Sequence, residues 1–199
     1  MLHRLFASRL PQGRARLRAV AIALLVVAAV TVSILAAPGV PGLLGAGLAL
    51  IAIAIAAVDA RHFVIPDELS AAGFALALVN AALTAPPGIW EAIGVAVLRA
   101  MVLSLLFYGL RALYRRLRGR EGIGLGDVKL AAVAGAWLDW LTLPIAVEIA
   151  ALAALAAIGI RHYAGGRPLD ATLKFPFGLF LAPSIWLGWL LEVTLLAPV

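Results

Sequence analysis

Leu43-Leu44-Gly45-Ala46-Gly47-Leu48-Ala49-Leu50-Ile51-Ala52-Ile53-Ala54-Ile55-Ala56-Ala57-Val58 runs without a polar side chain until Asp59 closes it. A helix apolar on every side has no face to offer water, so the run predicts a membrane span at 43–58. Working outward, further runs bounded by Pro, Gly and charge predict spans at 20–37, 68–84, 91–110, 128–142, 143–160 and 175–196. The third and fifth of the seven are short. The whole chain shares this character: 64% of its 199 residues are hydrophobic and only 13% charged, with a mean hydropathy of +1.08. Crossing a ~30 Å hydrocarbon core takes about 20 apolar residues, so this length supplies roughly six or seven helices and no soluble domain beside them. The expected fold is all-α, a polytopic membrane helical bundle. Residues 1–19 read as a basic cytoplasmic segment and 20–199 as a single transmembrane domain. The turns at Ala37-Pro38-Gly39-Val40-Pro41 and Ala85-Pro86-Pro87-Gly88 are too brief to separate domains.

The net charge of +6 is not that of a nucleic-acid binder, because the basic residues sit at span ends rather than on a water-facing surface interleaved with aromatics. Their placement sets orientation through the excess of Lys and Arg in cytoplasmic loops. With a cytoplasmic N-terminus, one side collects Arg4, Arg9, Arg14, Arg16, Arg18, Arg61, Arg111, Arg115, Arg116, Arg118, Arg120, Lys129, Arg161, Arg167 and Lys174. That is all but one of the 16 basic residues, the exception being Arg99 inside the fourth span. The basic start followed by an apolar run also has the outline of a signal peptide, but the run is long for a signal core, and an uncleaved first span is expected. With no Cys in the chain there is no thiolate nucleophile, and His3, His62 and His162 lack metal-ligand spacing. Neither a metal nor a cofactor is expected.

Ionisable residues in or beside spans are functional candidates by default. Asp59 closes the second span and Asp127 opens the fifth after Gly122-Ile123-Gly124-Leu125-Gly126, which puts both at the cytoplasmic ends of their helices. Two readings fit this placement. Each Asp can be an interfacial helix cap with Gly-x-Gly a simple turn. Alternatively the two face each other and share a proton, one serving as base for water and the other as acid. On the second reading Asp127 is the base and Asp59 the acid, and Gly124 and Gly126 let a substrate backbone approach closely. Asp67, after Pro66, is expected to cap the next helix, and Lys129 to snorkel to the surface, where its charge biases the aspartates. Asp139 reads as interfacial. Arg99 and Glu148 are expected to form an interhelical ion pair. Pro176 and Gly178 break helix geometry beside the aspartates and either shape a slot for extended substrate or simply start the last helix.

Three segments resemble the type IV prepilin peptidases, a branch of the Gly-x-Gly-Asp membrane aspartic proteases. Asp59 with Ile65-Pro66-Asp67 is similar to that family's first catalytic aspartate and its Ile-Pro-Asn/Asp sequence. Gly124-Leu125-Gly126-Asp127-Val128-Lys129 resembles its Gly-x-Gly-Asp-x-Lys motif, with Gly135-Ala136-Trp137-Leu138 following as its next helix usually reads. Phe175-Pro176-Phe177-Gly178 resembles the Pro-Phe-Gly segment of its last helix. Together the three cover about 43–196. The resemblance implies Asp59 and Asp127 as the catalytic pair, with Pro66, Asp67, Gly124, Gly126, Lys129, Pro176, Phe177 and Gly178 in support. The implied substrate is a membrane-anchored prepilin or pseudopilin, cut after its short basic leader at the cytoplasmic face of the inner membrane. Longer members carry Cys-x-x-Cys motifs associated with methylating the new N-terminus; this chain is expected to be a peptidase-only form. No Pro-Ala-Leu of the presenilin-like branch occurs. The rival readings are a small proton-coupled transporter, which needs acids near the membrane midplane and matching halves, and a non-catalytic component of a filament secretion system. Oligomeric state is not legible.

Overall fold

In the computed structural model, residues 10–84, 88–165 and 176–196 are described. They form seven α-helices: α1 Leu10–Ala36, α2 Val40–His62, α3 Asp67–Thr84, α4 Ile89–Arg118, α5 Leu125–Trp137, α6 Thr142–Gly165 and α7 Gly178–Leu191. A π-helical turn, Glu192–Leu196, follows. Among the described residues five helices are long and apolar enough to cross a membrane, namely α1 from Ala19, α2, α4, α6 and α7 with its π turn. The chain is a multi-pass helical membrane protein. The expectations at His3, Arg4, Arg9, Ala85-Pro86-Pro87, Arg167, Lys174 and Phe175 lie outside the described residues.

The third and fifth expected spans correspond to α3 and α5, the two helices outside those five: α3 has 18 residues but opens on Asp67 and Glu68 and carries Asn80. α5 has 13 residues, about 20 Å of rise, and stops well before the predicted end at 142. Leu138 leaves helical geometry at φ −100° and ψ 148° while its N–H still reaches Ala134 O, and the chain then turns into α6. Its shortness goes with its position. α5 is packed between α3, α4 and α7, while α1 lies outside α2 and α6 outside α7. Leu130, Ala131 and Val133–Trp137 are all buried, so α5 is apolar all round because protein, not lipid, surrounds it.

α4 runs the other way from expectation, continuing from 110 to Arg118. Arg and Leu are strong helix formers that carry the helix past the apolar run, until Gly119 ends it at φ +66°. Helices in lipid gain little from hiding apolar surface against each other and associate by close packing of small residues. Gly135 of α5 lies against α4 main chain: a Cβ there would stand 2.5 Å from Arg99 O and 2.7 Å from Ala100 N. Gly45 of α2 is covered by the Trp189 ring of α7, with a Cβ only 2.0 Å from its Cη2. Trp137 Nε1 donates to Gly73 O at 3.0 Å, fixing α5 to α3.

The ion pair expected between Arg99 and Glu148 does not form. Glu148 lies exposed on α6, which packs on α7. Arg99, buried in α4, pairs instead with Asp139 just beyond α5. Asp139, exposed just beyond α5, is therefore an ion-pair partner, which the sequence did not suggest.

Candidate active site

Asp59 sits in the last turn of α2, whose end is set by Phe63 at φ 55° and ψ 34°, its N–H on Asp59 O at 3.0 Å. A left-handed conformation at a non-glycine residue is strained by about 1 kcal/mol. The turn has a use, since it ends α2 so that Val64-Ile65-Pro66 runs outside any helix and the Ile65 side chain is buried in the bundle, 6% exposed. Pro66 disfavours helix at the residue before it, which keeps that stretch out of a helix. Pro66 O then accepts the Ser70 N–H at 3.2 Å as α3 begins.

The Asp59 carboxylate, only 4% exposed, accepts the Leu179 N–H at 2.9 Å through Oδ2. Leu179 lies in the first turn of α7, where backbone N–H groups have no intrahelical partner and the helix dipole favours negative charge. Gly178 makes the contact possible. A Cβ at 178 would stand 2.7 Å from Ile65 Cδ1 and 2.9 Å from Asp59 Oδ2. Phe177 O accepts the N–H groups of Phe180 and Leu181, both at 2.9 Å, which opens α7, and Phe177 packs on the core. Pro176 is half-buried just before it, with no polar contact to either aspartate.

Asp127 occupies the third position of α5, and its Oδ2 accepts the Gly124 N–H at 3.1 Å. Gly124 has no side chain to answer, so this is one arm of a capping box, not both. This cap contact engages Oδ2 alone and is compatible with either reading of Asp127. Burial raises the Asp127 pKa to about 6, the Gly124 N–H opposes that rise, and the neighbouring Asp59 charge adds to it.

Ile65 ties the two halves together. A Cβ on Gly126 would lie 3.0 Å from Ile65 Cβ, so the same side chain fills the space beside Gly126 at the start of α5 and beside Gly178 at the start of α7. Gly126 is accordingly small to admit Ile65, a different reason from the substrate approach expected of it. The loop ahead of α5 is fixed from behind by Arg111, buried in α4, which bonds Glu121 and donates to Ile123 O at 3.3 Å.

Asp67 and Lys129 meet each other. Asp67 is the first residue of α3, not its cap, and its Oδ1 takes the Lys129 ammonium at 2.6 Å. The Lys129 charge is thereby directed at α3, and both side chains remain open to their surroundings. Sequence reasoning gave no role to Ile65, to the Leu179 N–H or to Arg111. Ile65 carried a signal in its place before Pro66, whereas a main-chain donor carries none.

Against this geometry, residues 46–159 match the type IV leader peptidase family. A prepilin leader peptidase/N-methyltransferase of Burkholderia pseudomallei (strain K96243) is 37% identical over 137 residues, covering 68% of this chain and 42% of the relative. One of the same description from Aeromonas hydrophila is 32% identical over 165 residues, 81% of this chain and 53% of the relative. The leader peptidase HopD of Escherichia coli is 33% identical over 134 residues, 66% of this chain and 82% of the relative. The chain spans about half the length of the two-activity relatives. No solved structure matches it. With the matched segment carrying both aspartates and most of the chain, the protein belongs to the type IV leader peptidase family.

Proposed function

We propose that the chain is a membrane-embedded aspartic endopeptidase that removes the leader of a membrane-anchored prepilin-like or pseudopilin precursor. The observation that carries this reading is the seating of two carboxylates at adjoining helix ends about one side chain, Ile65. Asp127, partly open and with its pKa near 6, is ionised at neutral pH and takes a proton from water. Asp59, enclosed and with Oδ2 oriented by the Leu179 N–H, enters carrying the pair's shared proton and gives it to the substrate carbonyl. As the tetrahedral diol collapses, Asp127 passes the proton taken from water to the leaving amine and Asp59 takes one back from the diol hydroxyl. The pair titrates as a unit, and no covalent intermediate forms. The names of the relatives support a prepilin substrate. Of their two activities we assign this chain the peptidase, since it has no Cys. The lopsided basic residues support an inner-membrane topology with a cytoplasmic N-terminus and the aspartates at the cytoplasmic face. A proton-coupled transporter is disfavoured by the aspartates standing in terminal helical turns, not mid-span.

The test is leader removal in membranes holding a prepilin-like substrate. Asp59→Asn and Asp127→Asn should each abolish the cleaved band on a gel; full cleavage by either variant would sink the pair.

A further inference from the structure

The turn between α4 and α5 is held against the side of α4. Arg111 and Tyr114 stand three positions apart, on one face of that helix. A Cβ on Gly122 would lie 2.5 Å from Tyr114 Cδ1, so the ring lies directly over the turn there. Arg111, buried, pairs with Glu121 and donates to Ile123 O at 3.3 Å. Taking a guanidinium out of water is costly unless it is paired, and Glu121 supplies the countercharge. The contact with Ile123 has a different consequence.

Ile123 O and the Gly124 N–H belong to one peptide unit. A trans peptide is planar, with its carbonyl and its N–H pointing in opposite directions. Here the carbonyl receives Arg111 and the N–H is given to Asp127 Oδ2 at 3.1 Å. A cation, a peptide dipole and a carboxylate stand in series, each positive end toward a negative one. Hydrogen bonds in series polarise one another, so a charge on the carbonyl makes the N–H a stronger donor. Rotating the peptide would break both contacts at once.

We propose that Arg111 is a positioning residue for Asp127, acting through the Ile123–Gly124 peptide: the guanidinium holds the carbonyl and so aims the N–H of the same unit at the carboxylate. Its effect on cleavage rests on the peptidase reading of Asp127; its effect on the carboxylate does not. The surroundings leave this donor a distinct influence. Burial raises the Asp127 pKa, the Gly124 N–H lowers it, and the Asp59 charge of α2 raises it. Lys129 of α5 is engaged by Asp67 of α3, and α7 has no charged residue. Arg61 and His62 of α2, Glu68 of α3 and Arg115, Arg116 and Arg118 of α4 are exposed. Loosening the Gly124 donor removes the lowering contribution, so the carboxyl should hold its proton to higher pH.

In full-length Asp59→Asn chains Asp127 titrates without its partner, and infrared spectroscopy follows the carboxyl band that Asp127→Asn removes. Adding Arg111→Gln should move the midpoint up by about one unit, and Arg111→Lys, which keeps one cationic donor, by about half a unit. In chains with both aspartates, cleavage is compared after scaling each variant to its own high-pH plateau. From a starting value of about 6, a one-unit rise puts Arg111→Gln behind the unsubstituted chain by about fivefold at pH 6 and about twofold at pH 7. Loss of loop anchoring alone lowers cleavage equally at every pH and leaves the midpoint in place. That result overturns the proposal, as does an unmoved midpoint in Arg111→Lys where only that variant accumulates as folded protein. An unsubstituted chain that cuts no prepilin-like substrate overturns the peptidase reading instead, and the infrared midpoint still decides the role of Arg111.

Discussion

Gly178→Ala tests the site at its tightest point. The added methyl would stand 2.7 Å from Ile65 Cδ1, 3.0 Å from Ile65 Cγ1 and 2.9 Å from Asp59 Oδ2, where apolar atoms rest at about 3.5–4.0 Å. Ile65 cannot retreat freely, because it is buried and its other side abuts Gly126. Such overpacking destabilises by about 1–3 kcal/mol. The larger effect falls on chemistry, since Asp59 is the one polar group in the way and is held there by main-chain N–H groups at the start of α7, Leu179 at 2.9 Å among them. Displacing a reacting group by about 1 Å lowers rate on the order of 100-fold. Leader cleavage in proteoliposomes, with the amount of folded enzyme measured alongside, should show that loss in kcat without loss of protein. Ile65→Val removes Cδ1, the atom in closest conflict, and should restore part of the activity in the double variant while lowering it little alone. Relief is partial because the contacts with Cγ1 and the carboxylate stay. A double-mutant cycle reads the coupling directly. Full activity in Gly178→Ala, or strict additivity with Ile65→Val, would refute the account of Ile65 as the shared wedge.

Three further outcomes follow from named contacts. With the Asp127 carboxyl raised from 3.8 to about 6, the base is neutralised below that pH, so cleavage should fall about tenfold per unit on the acid side with its inflection near 6. The folded chain holds this proton more tightly than the unfolded one, so thermal stability should rise as pH falls through the same window, opposite to activity; an acid limb near 4 would contradict the assignment. Gly135→Ala pushes a methyl into the α4 main chain at 2.5 Å and should prevent accumulation of folded protein, read by detergent-solubilised yield. Lys129→Ala breaks only an exposed ion pair and should change stability by less than about 1 kcal/mol; a midpoint shift much larger than that would show the pair to be more than a surface contact.

The sequence disclosed the membrane bundle because the apolar runs are long and their ends are marked by Gly, Pro and Arg. It also picked out Asp59 and Asp127, since an acid beside an apolar run is conspicuous. What it hid is whatever depends on a neighbour. Arg99 took Asp139 over Glu148 because of how α6 packs on α7, which no local pattern encodes. Asp67 looked like a cap because it follows Pro66, but a lysine 62 positions away claims it. The end of α5 was misplaced because Leu138 and Trp140 continue the apolar run while the chain has already turned at Asp139. Arg111 counted as one more positive charge, although its burial and its hold on Ile123 O give it a place in the site.

The anchor on Asp59 belongs to the main chain, which changes what substitution can reach. Any residue but proline at 179 presents the same N–H, so the side chain there is free to drift while the contact persists. Chain length is the sensitive quantity. One residue inserted between Gly178 and Leu179 would turn the donor by about 100° around α7, leaving the carboxylate intact, the motif readable and the aspartate pointing at nothing.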